Sequence, residues 1–322
     1  MSTQKFTNRQ YEAEIESVFE AFFGRPLTAL KTHVSHTDSI VYEGTAGDKT
    51  AIFKMIDPAG VDVDIVVQEA WAYERASEKG LPTPQVCIVD DSCSKLPAPF
   101  ILVEKARGID LRTADMKPEV RDPFLIKIGQ AVKVMHTIPV EGYGRLIVDP
   151  NGQVRGQYDD WKTAALSAVE PGLAKLAGNP DFNNDLLDLA RTVVADHEQI
   201  LDTLEAGKLL HGDLGLVHFY GDLEAGDLTG IIDFGECKSG DPVWDFVDFR
   251  WSYVRTILKG YGILDTDEAC QDFERKFYYY ALLRDLVWTV RFNEKWPKDA
   301  AERMEFVIDA VAKHFGYLKR QP

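Results

Sequence analysis

The sequence predicts a two-lobed α+β protein, with a small strand-rich lobe over residues 1–106 and a larger, mainly helical lobe over residues 107–322. Three observations predict it. A length of 322 residues is more than one small core organises. Alternating apolar and polar residues, broken by Gly and Asp turns, are concentrated before Ala106. Beyond about residue 110 the apolar spacing turns helical, as in VRDPFLIKIGQAVKVMHTI and DFNNDLLDLARTVVADHEQILDTLEAG.

The elements follow in order. The N-terminal segment, through YEAEIESVFEAFF, has the spacing of an amphipathic helix. SIVYEGTAGDKTAIFKMID predicts a β-hairpin with strands near Ser39 to Glu43 and Thr50 to Ile56, turning at Gly44, Gly47 and Asp48. VVQEAWAYERASEKG predicts a helix that stops at Gly80. Pro82 and Pro84 lead into the strand QVCIVD, and PFILVEK is a further strand running into Ala106, Arg107 and Gly108. The lobe boundary is expected near Ala106 to Asp110. Lys208 to His211 and Leu228 to Ile232 predict two short strands flanking a loop and the return GDLEAGD.

Composition narrows the function. A formal charge of −16, from 52 acidic and 36 basic residues, opposes binding of nucleic acid or an anionic lipid surface and is compatible with a cationic ligand. Cys87, Cys93, Cys237 and Cys270 have neither metal-ligand spacing nor the density of a disulfide scaffold. The seven histidines form no metal-ligand spacing. The N-terminus has no basic segment followed by an apolar one, and no apolar run approaches the ~20 residues of a membrane span. These features lead to the expectation of a cytoplasmic protein without a nucleic-acid, membrane or obligate protein partner.

The chemistry concentrates in HGDLGLVHFYGDLEAGDLTGIIDFGE, where Asp213 and Asp233 each follow a predicted strand. Two carboxylates so placed suit phosphoryl transfer: one accepts the proton of an attacking hydroxyl, while the other holds a Mg²⁺ ion on the phosphate oxygens. Asp213 fits the base and Asp233 the metal ligand. A kinase also needs a strand lysine on the phosphates, kept in place by an acidic helix residue. Lys54 and Glu69 occur in that order ahead of Asp213 and Asp233.

These segments resemble the aminoglycoside phosphotransferase family, the antibiotic and small-metabolite kinases, choline kinase-like members included, that share the protein-kinase fold. VYEGTAGDKTAIFKM, QEAWAYERASEKGLPTPQV, ILVEKARG, MHTIPVEGYG, HGDL and GIIDFGECKSGDPVWDF carry the resemblance in the family's order. It implies a protein-kinase-like bilobal fold, with nucleotide bound by the first lobe and its hinge and the acceptor by the second. It makes Asp213 the catalytic base, Asp233 a Mg²⁺ ligand, and Lys54 the contact to the α and β phosphates with Glu69 as its partner. The carbonyl of Glu104 and the amide of Ala106 would bind the nucleotide base, and the turn Thr37, Asp38, Ser39 would lie over the phosphates. His211 and Asp245 are expected to brace the loop that carries Asp213.

The sequence departs from the family at two places. His218 stands where the family usually has an asparagine on Mg²⁺, and Mg²⁺ prefers oxygen ligands. Family members with histidine there add GTP to ATP as an implied donor and keep His218 a candidate metal ligand. No Gly-x-Gly-x-x-Gly loop is present, and no long activation segment separates Asp233 from GDPVWDF, which disfavours a peptide substrate.

The expected activity is transfer of the γ-phosphate of ATP or GTP to a hydroxyl of a small acceptor, of aminoglycoside type or a related antibiotic. Glu236, Asp241, Asp159, Asp160 and Glu294 are the candidate acceptor contacts, and Glu236 suits metal equally well. A housekeeping kinase of choline, homoserine or a sugar-like compound is the alternative within this class, and a nucleotide-binding pseudokinase scaffold the alternative outside it. The aromatic-rich KFYYYALLRDLVWTVRFNEKW suits either an acceptor pocket or core packing.

Overall fold

The computed structural model describes residues 11–33, 39–56, 64–114, 116–264, 268–293 and 295–318. In chain order the elements are α1 (Glu12–Phe23), β1 (Ala29–His33), β2 (Ser39–Ala46), β3 (Lys49–Ile56), α2 (Ile65–Glu78), β4 (Val86–Asp90), β5 (Phe100–Glu104) and β6 (Ile109–Asp110). Then follow α3 (Pro118–Met135), β7 (Tyr143–Val148), β8 (Val154–Tyr158), α4 (Trp161–Leu166), α5 (Val169–Ala177), α6 (Asn184–His197) and β9 (Lys208–Leu210). The chain continues through β10 (Phe219–Asp222), β11 (Asp227–Ile231), β12 (Lys238–Gly240), α7 (Trp251–Tyr261), α8 (Glu268–Phe292) and α9 (Pro297–His314).

Two compact units result, and neither is continuous in sequence. The first takes the described residues up to Phe124, with Ile147–Val154 and Leu216–Cys237. The second takes Leu125–Leu146, Arg155–Gly215 and the chain from Lys238 onward. A single cut after residue 106 is coarser than this division. β10 pairs with β6 as well as with β11, and those backbone hydrogen bonds draw Leu216–Cys237 into the first unit.

In the first unit a five-stranded sheet has the order β1-β2-β3-β5-β4. β2 and β3 form the expected hairpin, but the strands run on to a two-residue turn, with Ala46 facing Lys49. Period-two alternation turns Ile40, Tyr42, Ala51, Phe53 and Met55 into one core with Phe100 and Leu102 of β5. α1 covers that core with Ile15, Val18 and Phe19, which follow helical spacing. Phe19 lies so close to β2 that a Cβ on Gly44 would meet its ring at 2.6 Å. Gly44 therefore serves close approach of helix and sheet. The two strands expected around Asp213 and Asp233, β9 and β11, do not pair with each other: β11 joins β10 and β6, while β9 joins β12.

The second unit is built on the sheet β8-β7-β12-β9 and the helices around it. α8 is its central element, with Phe273, Phe277, Tyr279, Tyr280, Leu282, Leu283 and Leu286 all buried. Most of the aromatic-rich segment is thus core, as its helical spacing allows. Trp288, Phe292 and Trp296, spaced four apart at its end, pack as tilted ring pairs at 5.0 and 5.4 Å. Among the described residues no helix is long and apolar enough to cross a membrane.

Gly44→Ala is expected to lower stability by about 1–3 kcal/mol, the usual cost of overpacking a filled core. Urea unfolding checks this, since the loss shows as a lower midpoint at unchanged slope.

Candidate functional site

The first unit assembles a three-residue ionic cluster. Phe53 and Met55 of β3 are buried in the core, so strand alternation turns Lys54 to the opposite face of the sheet. Glu69, in the second turn of α2, meets it there: Lys54 Nζ donates to Glu69 Oε2 at 3.0 Å and to Asp233 Oδ1 at 2.7 Å. Side-chain exposure falls from 47% at Asp233 to 18% at Lys54 and 3% at Glu69, so the cluster opens at the Asp233 end. Burial pushes the Lys54 ammonium down, but the charges of Asp233 and Glu69 outweigh it and hold the group well above the ordinary lysine value.

Asp233 adopts a left-handed backbone, φ 65° and ψ 61°, that costs a non-glycine residue energy unless its surroundings enforce it. The enforcement is local. The Asp233 amide donates to the Tyr73 hydroxyl at 2.8 Å, the Ile232 amide to the His218 carbonyl at 3.0 Å and the Ile231 amide to the Pro82 carbonyl at 2.7 Å. The Tyr73 ring packs edge-on against Phe234 at 5.1 Å. At Gly235 a Cβ would sit 2.7 Å from Lys54 Nζ, so the chain passes the ammonium where only glycine fits. Tyr73 escaped the sequence analysis, although it stands four residues beyond Glu69 and thus on the same helix face.

The structure thus brings Lys54, Glu69, Asp233 and, more loosely, His218 together, with His218 Nε2 3.8 Å from Asp233 Oδ2. Among the described residues no group of three or more His, Cys, Asp or Glu is placed as a metal cage. Mg²⁺ does not need one, because it commonly uses one or two carboxylates together with substrate phosphates. The exposed carboxylate of Asp233 fits that use; the imidazole of His218 is a poorer donor type. Glu104 ends β5, donates its amide to the Gln85 carbonyl at 2.9 Å and leaves its side chain exposed. Ala106 is half-buried, and Ser39 opens β2 opposite Ile56. Thr37 lies outside the described residues.

The second unit holds Asp213. β9 leads through His211 and Gly212, and one buried carboxylate fixes both: Asp245 Oδ2 accepts the His211 amide and Oδ1 the Gly212 amide, each at 2.8 Å. His136 Nε2 lies 3.1 Å from Asp245 Oδ2, and its Nδ1 lies 3.0 Å from the Tyr261 hydroxyl. Burial alone would raise the Asp245 carboxyl; the hydrogen bond and charge of His136, with the charge of His211 and the Gly212 amide, hold it below the usual carboxylate range. Asp213 Oδ1 accepts from Arg284 Nη2 at 3.0 Å.

The expected acceptor contacts fare differently. Asp241 is corrected: it is 3% exposed, caps the turn Pro242–Phe246 through the Val243 amide at 3.0 Å, and accepts from Lys276 at 3.2 Å and the Tyr280 hydroxyl at 3.0 Å. A carboxylate so enclosed has no face for an acceptor. The Asp-Pro pair at a helical start was the signal for this cap. Asp160 accepts the Thr163 amide at 2.7 Å as the N-cap of α4. Asp159 is exposed and paired with Arg155 at 3.2 Å. Glu236 is exposed in the turn after Asp233, within the first unit, and Glu294 lies outside the described residues.

A family model described as APH, phosphotransferase enzyme family, matches residues 32–274. The apo form of a thermostable mutant of aminoglycoside phosphotransferase APH(4)-Ia superposes with a TM-score of 0.75 at 16% identity, covering 94% of this chain and 100% of that one. That enzyme is also known as a ternary complex with ADP and hygromycin B. A candidate fructosamine-3-kinase from Thermobifida fusca gives 0.67 at 15% identity, covering 93% of this chain and 98% of its own. The GDP complex of an aminoglycoside 2'-phosphotransferase IIIa mutant gives 0.65 at 17%, covering 97% and 99%. At such identities the likeness establishes the fold, which is the bilobal kinase-like α+β fold.

Two outcomes follow from this geometry. Tyr73→Phe is expected to cost about 1 kcal/mol by removing the acceptor of the Asp233 amide, read as a lower urea midpoint. Asp245→Asn is expected to cost about 1–3 kcal/mol near neutral pH, because one amide loses its carboxylate partner. A depressed carboxyl contributes fully above its unfolded value of 3.8 and loses that contribution as pH falls through its folded value. The stability gap between wild type and Asp245→Asn should therefore close in acid, below that value, and stay open above it.

Proposed function

Because the chain belongs to the APH phosphotransferase enzyme family, we propose that it transfers the γ-phosphate of ATP or GTP to a hydroxyl of a small acceptor of aminoglycoside or related sugar-like type. The observation that carries this reading is the clamp of Lys54 between Glu69 and Asp233, a cation prepared for phosphate oxygens beside an exposed carboxylate. In this reading residues 1–106 supply the nucleotide site and residues 107–322 the base and the acceptor site.

Lys54 binds the α and β phosphates, and Glu69 keeps its ammonium aimed. The Glu104 carbonyl and the Ala106 amide hold the nucleotide base, with Thr37 and Ser39 over the phosphates. Asp233, with His218 beside it, would hold Mg²⁺, which when bound offsets charge developing on the phosphate oxygens. Asp213 accepts the proton of the acceptor hydroxyl at its carboxylate; the oxygen so freed attacks the γ-phosphorus as the bond from that phosphorus to the β–γ bridging oxygen breaks and the nucleoside diphosphate leaves. GTP is kept beside ATP because of His218 and because a relative of this fold was solved with GDP.

The carboxylates foreseen as contacts for a polycationic antibiotic favour a second reading of the acceptor. Asp241 is buried and bound to Lys276, exposed Asp159 pairs with Arg155 and Asp213 itself meets Arg284, so these three carboxylates already have cationic partners. A sugar-like metabolite with few charges suits that balance, as does the likeness to a candidate fructosamine-3-kinase.

A coupled nucleotide-turnover assay with Mg²⁺ tests both. ATP and GTP are run against hygromycin B, other aminoglycosides, fructosamines and choline, with wild type and Asp213→Asn in parallel. Turnover should rise with one acceptor class and fall by roughly 10²–10⁴-fold in Asp213→Asn, the usual weight of a general base, while nucleotide affinity is kept. Stimulation by fructosamines alone selects the metabolite reading, and by aminoglycosides the antibiotic one. Failure to bind either nucleotide would refute the kinase reading, and tight binding without turnover would leave an acceptor outside the panel or a pseudokinase.

A further inference from the structure

One side chain that meets Asp213 within the second unit has no role assigned above. Arg284 lies in the C-terminal half of α8, and its Nη2 is 3.0 Å from Asp213 Oδ1 and 3.5 Å from Asp248 Oδ2. Its side chain is 14% exposed against 44% for Asp213, so the guanidinium reaches the base from the protein side. The network continues behind it. Arg303 of α9 binds Asp285 through Nε, lies 3.9 Å from Asp248 Oδ1 and stacks its guanidinium 4.4 Å over the Trp288 ring.

An exposed pair of this kind contributes little to stability. This one is different in build. The Asp248 side chain is a quarter exposed and faces two guanidiniums, that of Arg284 at 3.5 Å and that of Arg303 at 3.9 Å. A largely buried cation shared by two carboxylates has one well-defined position, because moving it toward either one lengthens its contact with the other. The planar guanidinium transmits that position to the carboxylate it touches. For a general base, position decides rate: a displacement of about 1 Å can cost 10²-fold.

We propose that Arg284 is the positioning residue of the base, acting through Asp213 and held in turn by Asp248, Arg303 and Asp285. The inference rests on the reading of Asp213 as general base. It differs from a structural ion pair between α8 and the loop in one respect: its effect on turnover must disappear once Asp213 can no longer act.

Arg284→Gln, Arg284→Lys, Asp213→Asn and the double variant Asp213→Asn with Arg284→Gln are compared for hydrolysis of ATP and GTP with Mg²⁺, water serving as acceptor. Nucleotide affinity and melting temperature are measured beside it. Arg284→Gln should lower kcat roughly 10- to 100-fold with the nucleotide KM unchanged, in line with a displaced base. Arg284→Lys, which keeps the charge and serves as the test if the glutamine variant fails to fold, should fall between. In the Asp213→Asn background the glutamine substitution should change kcat no further, the non-additivity of residues that act as a unit. An unchanged kcat in Arg284→Gln, or an equal loss with and without Asp213, overturns the inference. If Asp213→Asn itself leaves kcat intact, the assignment of the base has failed instead, and a wild type that neither binds nor hydrolyses nucleotide overturns both.

Discussion

An ammonium withdrawn from water has to be answered by negative charge, and Lys54 imposes that requirement on much of the first unit. β3 must hold its register between β2 and β5 so that Lys54 faces away from the Phe53 core. α2 must begin where it does so that its second turn presents Glu69. The strained backbone of Asp233 is then accepted because it delivers the second carboxylate to the same ammonium. Such clusters gain little net stability, since desolvation consumes most of the Coulombic return. What they secure is direction, since the ammonium is held between two fixed carboxylates.

The second unit uses the same physics with the opposite sign. Asp245 is a carboxylate without exposure, and every atom it offers is engaged: two consecutive amides on one side and His136 on the other, with Tyr261 behind the ring. Since amides of His211 and Gly212 are bound, the path of the chain into Asp213 is set before any side chain of that loop is considered. Arg284 then fixes the carboxylate of Asp213 itself. Backbone and side chain at Asp213 are governed by separate charges on separate elements.

The acidic composition reads differently once partners are known. Asp160 and Asp241 are caps at helical starts, where a carboxylate serves orphan amides. Asp248 and Asp285 answer arginines. In these places the acidic composition serves local capping and pairing.

Much of the fold was legible because its determinants are local. Alternation in SIVYEGTAGDKTAIFKM, helical spacing in α2 and α8, and glycines at turns act over a few residues, and the order Lys54, Glu69, Asp213, Asp233 was a pattern in the chain. The strand limits of the hairpin and the pairing of β9 and β11 were not legible, because which strand a strand joins depends on partners distant in sequence. By itself the sequence determined the class of fold, the family and the residues that bear charge in the motifs. Tertiary structure alone decided that Tyr73 holds Asp233, that Asp241 is sealed by Lys276 and Tyr280, and that Arg284 reaches Asp213 across 71 positions of chain. The reason is physical: a side chain's charge is written in its residue type, whereas its partner is set by how elements far apart in sequence pack.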